Sequence, residues 1–248
     1  MKKNLLITAM CLLTIPFAAS AAVTEQQSVL KGDAHYLTGY STHNTDGTVN
    51  VVVEIPAGTT ARYEVDGRTG LMMLAQKDGQ PSYVRYIGSP GNYGMIPRTV
   101  RAKELGGDGG PLDAIVLGDA AVRGTVVKAR PIGILKLRDS GAEASKIIMG
   151  AVGSPFESCS NLKDLDARFP GVTKIIEIWF TNCKGAGKDG KPAVVSGGIG
   201  DRSAAIKTIG AAALLFEQGQ VKPSDLPKLD ENGNPRMRFH PNARNIAD

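Results

Sequence analysis

The chain has 248 residues, 42% of them hydrophobic, 5% aromatic and 21% charged, with a formal charge of +5 at pH 7. That length suits one domain with a real core. Dispersed basic residues, few aromatics and no recognised nucleic-acid motif argue against a nucleic-acid binder, and beyond the first 21 residues no apolar stretch is long enough to cross a membrane.

At the start, Lys2 and Lys3 precede an apolar run, Leu5 to Phe17, and a small-residue segment ending at Ala21 and Ala22. This is the pattern of a secretory signal peptide over residues 1–21. Cleavage after Ala21 predicts a periplasmic or secreted protein. Only Lys2 and Lys3 are lost from the charge count, which falls from +5 to +3. Residues 22–48 are polar, contain Gly32, Gly39 and Gly47, and predict an extension that packs loosely.

From Val49 the texture turns to short β-runs: Val49–Ile55, Ala61–Val65, Gly70–Ala75, Ser82–Ile87, Asp113–Leu117 and Lys146–Val152. Breakers such as Pro56-Ala57-Gly58, Asp66-Gly67 and Asp78-Gly79 separate the first four. Thr125–Leu137 predicts a strand that bends or bulges at Pro131 and Gly133, since proline cannot donate to a central ladder. Then the period changes. In Val172–Cys183 apolar residues fall at 172, 175, 176, 179 and 183, the spacing of an amphipathic helix. Asn161–Phe169 predicts a shorter helix. Arg202–Phe216 predicts a third, with its apolar stripe at Ile206, Ile209, Ala213 and Phe216. Strands first and helices after give an α+β domain over residues 49–217. Residues 218–248 are polar and read as a tail.

Cys11 falls within the signal, leaving Cys159 and Cys183. In an oxidising compartment these form a disulfide or remain two buried thiols, and spacing alone does not choose.

The chemistry centres on "GGDGGPLDAIVLGD", residues 106–119, which sets Asp108 and Asp113 on a glycine-rich loop. Asp139, Glu54 and Glu64 are further carboxylates at strand ends or on early strands. Arg62, Arg85, Lys146 and Lys184 are interleaved with them. Carboxylates alternating with cations suit a site for divalent metal and a phosphate-like anion together. Taken singly, each has a blander account as a turn former or a solvated charge.

The ordered series of segments resembles the soluble, barrel-type inorganic pyrophosphatase family from about Val49 to Phe216. "VVVEIPAGTTARYEVD" is similar to that family's first site hairpin, "SPGNYG" to the loop before its acidic signature, and "DGGPLDA" to the signature D-x-D-P-x-D. "RGTVVKARPIGILKLRDSG", "KIIMGAV" and "EIWFTNCKGAGKDGKP" follow in the family's order. The resemblance implies a small closed five-stranded, OB-like barrel with flanking helices. It also implies magnesium or manganese dependence, hydrolysis of pyrophosphate or a related phosphoanhydride, and a homo-oligomer.

By the same resemblance Asp108, Asp113 and Asp139 fall on metal ligands, with Asp113 at the bridging position, and Glu54 and Glu64 on further acidic positions. Arg62, Arg85, Tyr93, Lys146 and Lys184 fall on substrate-binding positions. Asp113, Tyr93, Arg85 and Lys184 are expected to carry catalysis. Arg85 fits only with a shortened loop after it. Arg62 replaces the family's lysine, Ser89 a tyrosine, and Cys183 a phosphate-contacting tyrosine. Gly110 replaces the signature's middle aspartate, which helps activate water, and Ala144 replaces another metal-ligating aspartate. Glu143 and Asp119 are the nearby acids that could substitute.

Two further readings stay open: a non-catalytic pyrophosphatase-like protein that binds phosphate, metal or a partner, and an oligosaccharide- or nucleic-acid-binding OB barrel. The latter lacks an aromatic platform.

Overall fold

Five strands carry the fold in the computed structural model, which describes residues 28–186 and 190–220. β1 (Val49–Ile55) is buried at every position, as a strand covered on both faces must be. β2 (Asn92–Met95), β3 (Asp113–Leu117), β4 (Val126–Asp139) and β5 (Lys146–Ala151) complete the set. β1 pairs antiparallel with β2, and β2 with β3. β3 pairs in parallel with β5, β5 antiparallel with β4, and β4 antiparallel with β1. The pairings therefore run in a closed ring, so each barrel strand has a partner on both sides.

β4 is one long strand, and its partner β5 slips register between Ile148 and Met149. Gly133 and Pro131 are the residues opposite them, so the chain absorbs its proline in a bulge at the expected point. A sixth strand, β6 (Val194–Gly200), extends β4 on its other side. Its sequence, "VVSGGIG", carries no sustained apolar run. It is broken between Ser196 and Ile199, where Gly198 takes φ +84°.

The helices begin where side chains can receive their first amides. Asn161 accepts from Asp164 N at the start of α1 (Leu162–Arg168), and Asp201 accepts from Ala204 N at the start of α3 (Arg202–Leu215). α2 (Val172–Asn182) buries Ile176, Trp179 and Phe180, while Ile175 faces outward. α3 buries Ile209 of the expected stripe together with Ala205 and Ala212, whereas Ile206 of that stripe is exposed. Small residues let this helix lie close against β4.

Alternation along the strands splits the core in two. Ile115 and Leu117 of β3 pack with α1 and α2. Ala114 and Val116 pack with α3. Asp113 shares the first of these faces, which aims its carboxylate toward α2.

Two expectations need correcting. The described part of the 22–48 segment does not pack loosely: Tyr36 and Leu37 are each 3% exposed, in a cluster with Val52, Tyr63, Met72 and Met95. Two aromatic or branched side chains suffice to anchor an otherwise polar segment. Ser82–Ile87 forms no full strand, only a bridge between Ala61 and Tyr83. The expected signal peptide and most of the expected tail lie outside the described residues.

Candidate active site

The site is a cavity of about 330 Å³ where the α2-facing side of the barrel meets the Tyr63–Val65 hairpin strand and the 101–113 loop. Glu54, Arg62, Glu64, Tyr93, Asp108, Asp113, Asp139, Lys146 and Lys184 all line it. Trp179, Phe180 and Cys183 of the α2 end form its apolar wall.

Each charged group reaches the cavity through its element's register. Arg62 and Glu64 lie two apart on extended chain and share a face, where Arg62 Nη2 pairs with Glu64 Oε1 at 2.7 Å. Glu54 is 3% exposed, and its Oε1 accepts from Val65 N at 2.8 Å, tying β1 to the hairpin. Asp113 opens β3 and Lys146 opens β5; the parallel register sets them side by side. Lys146 Nζ donates to Asp113 Oδ2 at 2.6 Å and stands 5.8 Å from the Tyr93 ring centre. Lys184, just past α2, is in close contact with Asp139 at the end of β4. Burial pushes the Lys184 ammonium below the usual lysine range, and the Asp139 contact opposes that shift. Burial likewise pushes the Cys183 thiol up, against the pull of Lys184, Arg62 and Lys146.

One predicted residue is elsewhere. Arg85 is exposed and is not among the cavity-lining residues. Tyr83 and Val84 reach the cavity instead, held by the bridge to Ala61 and by Val84 N donating to Thr60 O. Asp119 is also exposed and outside the cavity, beyond the far end of β3, so it is no substitute for a lost acid. Glu143 does line the cavity. A tight turn makes this possible: Ser140 and Gly141 both take positive φ, +49° and +89°, which pairs Ala142 with Asp139 and returns the chain at once. Ala144 lines the cavity beside it. Cys159 and Cys183 are both free, buried thiols in the same apolar cluster.

One site residue had no sequence signal pointing to it. Arg101 is 6% exposed. Its Nε and Nη2 donate to the two oxygens of Asp108 at 3.1 and 2.8 Å, and its Nη1 donates to Asp113 Oδ2 at 2.8 Å. A lone arginine seven residues before the acidic loop reads as a surface charge. The only available hint was the glycine-rich return that lets the loop fold back on it.

The inorganic pyrophosphatase family model matches residues 51–216. The chain belongs to that family. Among inorganic pyrophosphatases, that of Gluconobacter oxydans is 39% identical over 127 residues, 51% of this chain and 67% of its own. The crystal structure of the type I inorganic pyrophosphatase from P. falciparum superposes with a TM-score of 0.67 at 23% identity, over 74% of this chain and 63% of its own. A truncated Trypanosoma cruzi vacuolar soluble pyrophosphatase, solved in complex with PPi, gives 0.66 at 21% identity, over 88% of this chain and 98% of its own. These likenesses support the OB-like barrel with flanking helices.

Membership in the inorganic pyrophosphatase family raises the question of a resident metal. Among the described residues no three His, Cys, Asp or Glu side chains converge in a metal-holding group. Asp108 and Asp113 are bridged by Arg101, Asp139 meets Lys184, and Glu64 meets Arg62. As arranged, this donor set does not fit a resident ion between Asp108 and Asp113.

Proposed function

We propose that the chain binds pyrophosphate, or a related phosphoanhydride, in this cavity and hydrolyses it to two phosphates. The observation that carries the reading is the convergence of Arg62, Arg101, Lys146 and Lys184, each no more than 9% exposed, with Tyr93 around one cavity. Four buried cations are expensive to place unless they meet anions. Family membership makes pyrophosphate the anion they fit best, and the Trypanosoma cruzi relative's complex with PPi supports the same substrate.

The lining also holds Glu54, Glu64, Asp108, Asp113, Asp139 and Glu143, an excess of two acids over bases. A multiply charged anion is repelled by that excess. The substrate is therefore the magnesium (or manganese) complex of pyrophosphate, in which the cation arrives with the anion. Lys146, Lys184 and Arg62 then turn from carboxylate to phosphate oxygens, and the Tyr93 hydroxyl supplies a neutral contact.

Turnover is slow in this reading. Gly110 offers no carboxylate to take a proton from the attacking water, and such help is typically worth about 10²–10⁴-fold. Glu143 lines the cavity and directly precedes the altered position at Ala144 in sequence. Export after cleavage at Ala21 belongs to the same proposal; N-terminal sequencing of the periplasmic fraction tests it.

Phosphate release from pyrophosphate by the purified chain, with Mg²⁺ and then Mn²⁺, tests the activity. Release above a protein-free blank, abolished in Lys146→Met, is expected. Pyrophosphate binding by calorimetry without any release would overturn hydrolysis and leave a binding protein, the reading that Gly110 and Ala144 favour.

A further inference from the structure

We infer that Arg101 is a tethered cation, built into the place that Asp108 and Asp113 would otherwise offer a divalent ion. A guanidinium that grips one carboxylate with both arms and a second with its remaining nitrogen performs the neutralising and spacing role of a bridging metal. Here the fork is closed on Asp108, and the third bond reaches Asp113, which is fully buried. Lys146 supplies a second positive group to the same Asp113 oxygen.

The loop is built around this contact. Arg101 N donates to Gly110 O at 2.8 Å and Gly109 N donates to Arg101 O at 2.9 Å, which clips the two ends of the loop together. Between them lie a single 3₁₀ turn, Lys103–Leu105, and Gly106 at φ +84°. Gly107 passes so close that a Cβ there would stand 2.6 Å from Arg101 O and 2.7 Å from Arg101 Cβ. Gly110 N, in turn, donates to Asp108 Oδ1 at 2.8 Å. Backbone, glycine and carboxylate thus hold one arginine from three sides, an arrangement an incidental surface charge does not need.

The consequence is a site that holds no divalent ion of its own and takes only what its substrate brings. The inference deepens the proposed function, but it is tested without substrate, so either can fail alone. Mn²⁺ binding to the full chain is measured by calorimetry and electron paramagnetic resonance, with no phosphate present. The wild-type chain should show no specific Mn²⁺ site. Arg101→Ser should gain one, binding Mn²⁺ at least about tenfold more tightly than wild type, and adding Asp113→Asn should abolish the gain. Folding of each variant is checked by circular dichroism. A wild-type chain that binds Mn²⁺ as tightly as Arg101→Ser overturns the inference. A folded Arg101→Ser that gains no site overturns it too. Should Arg101→Ser not fold, Arg101→Gln, which keeps most of the stem and loses the charge, is read in its place, and the same two outcomes decide.

Discussion

Replacing Asp113 by asparagine separates an ion-pair hub from an open metal ligand. Asp113 Oδ2 accepts from Arg101 at 2.8 Å and from Lys146 at 2.6 Å, and all three side chains are nearly inaccessible. Asparagine keeps the shape and removes the charge, so two buried cations face a neutral amide. Removing one partner from a buried pair typically costs about 3–5 kcal/mol. Arg101 retains Asp108, and Lys146 retains the Tyr93 and Phe180 rings at 5.8 and 6.0 Å, so the lower end of that range, about 3 kcal/mol, is expected. For a domain of this size that corresponds to a melting temperature lower by on the order of 6–12 °C. The assay is thermal and urea unfolding in EDTA. The opposite arrangement, carboxylates held near one another to await a metal, predicts that losing a charge without metal leaves stability unchanged or raises it. A change smaller than about 1 kcal/mol in EDTA would refute the ion-pair argument. Adding Lys146→Met should recover part of the loss, with a coupling of about 1 kcal/mol or more between the two sites.

Further outcomes follow from the same geometry. Trp179 is the only tryptophan and lines the cavity, its Nε1 donating to Ile87 O at 2.9 Å, so its fluorescence should change saturably as magnesium pyrophosphate is added; no change at saturating ligand would place the ligand elsewhere. Native protein should react slowly at Cys159 and Cys183 with a thiol reagent, and both should react in denaturant; a disulfide would leave neither reactive. Gly141→Ala should destabilise by about 1–2 kcal/mol because alanine resists its positive φ, measured by urea unfolding, and an unchanged midpoint would mean that the turn relaxes freely. The Ser196 hydroxyl, and then Lys174, hold the Glu177 carboxyl below its usual range. A depressed carboxylate stabilises above its unfolded pKa, and that stability is lost as pH falls through the folded value. Ser196→Ala should therefore cost more at pH 7 than at pH 3, and an equal cost at both would show that the hydroxyl does not hold the charge.

Much of the barrel was legible because strand chemistry is local. β1 and β3 fall where apolar, β-branched runs stand between breakers, and the bulge in β4 follows from a proline that cannot donate. β6 was not legible: serine and glycines interrupt it, and it exists because β4 offers an edge to pair with. The α3 stripe was shifted because periodicity counts large residues, whereas a helix lying close to a strand buries its alanines. Most of the predicted site residues share the cavity, since they stand at strand ends that the ring of pairings brings together. Arg85 does not, because the chain bends just past the Ala61–Tyr83 bridge and no strand pairing holds that side chain toward the cavity. Arg101 was invisible for a different reason. Its partners lie seven and twelve residues away, across a loop whose return depends on Gly107, and no local pattern records such a closure.

The four cations of the cavity also bear on what the site is for. Arg62, Arg101, Lys146 and Lys184 each face a carboxylate in a nearly buried setting. Such pairs are poor investments in stability, since well-packed apolar groups of similar volume often serve as well or better. Had selection acted on stability alone, the apolar wall of Trp179, Phe180 and Val194 could have continued across the cavity floor. A wall of paired charges instead keeps cations desolvated, oriented and ready to exchange a carboxylate oxygen for a phosphate oxygen with little reorganisation. Three of them, Arg62, Lys146 and Lys184, each bond a carboxylate and can make that exchange. Arg101 has three bonds across two carboxylates and is the fixed member of the set. On this division of labour, Lys146→Met and Lys184→Met should weaken pyrophosphate binding measured by calorimetry, while Arg101→Lys should mainly lower the melting temperature. Equal losses of affinity in all three variants would mean that Arg101 meets the substrate directly.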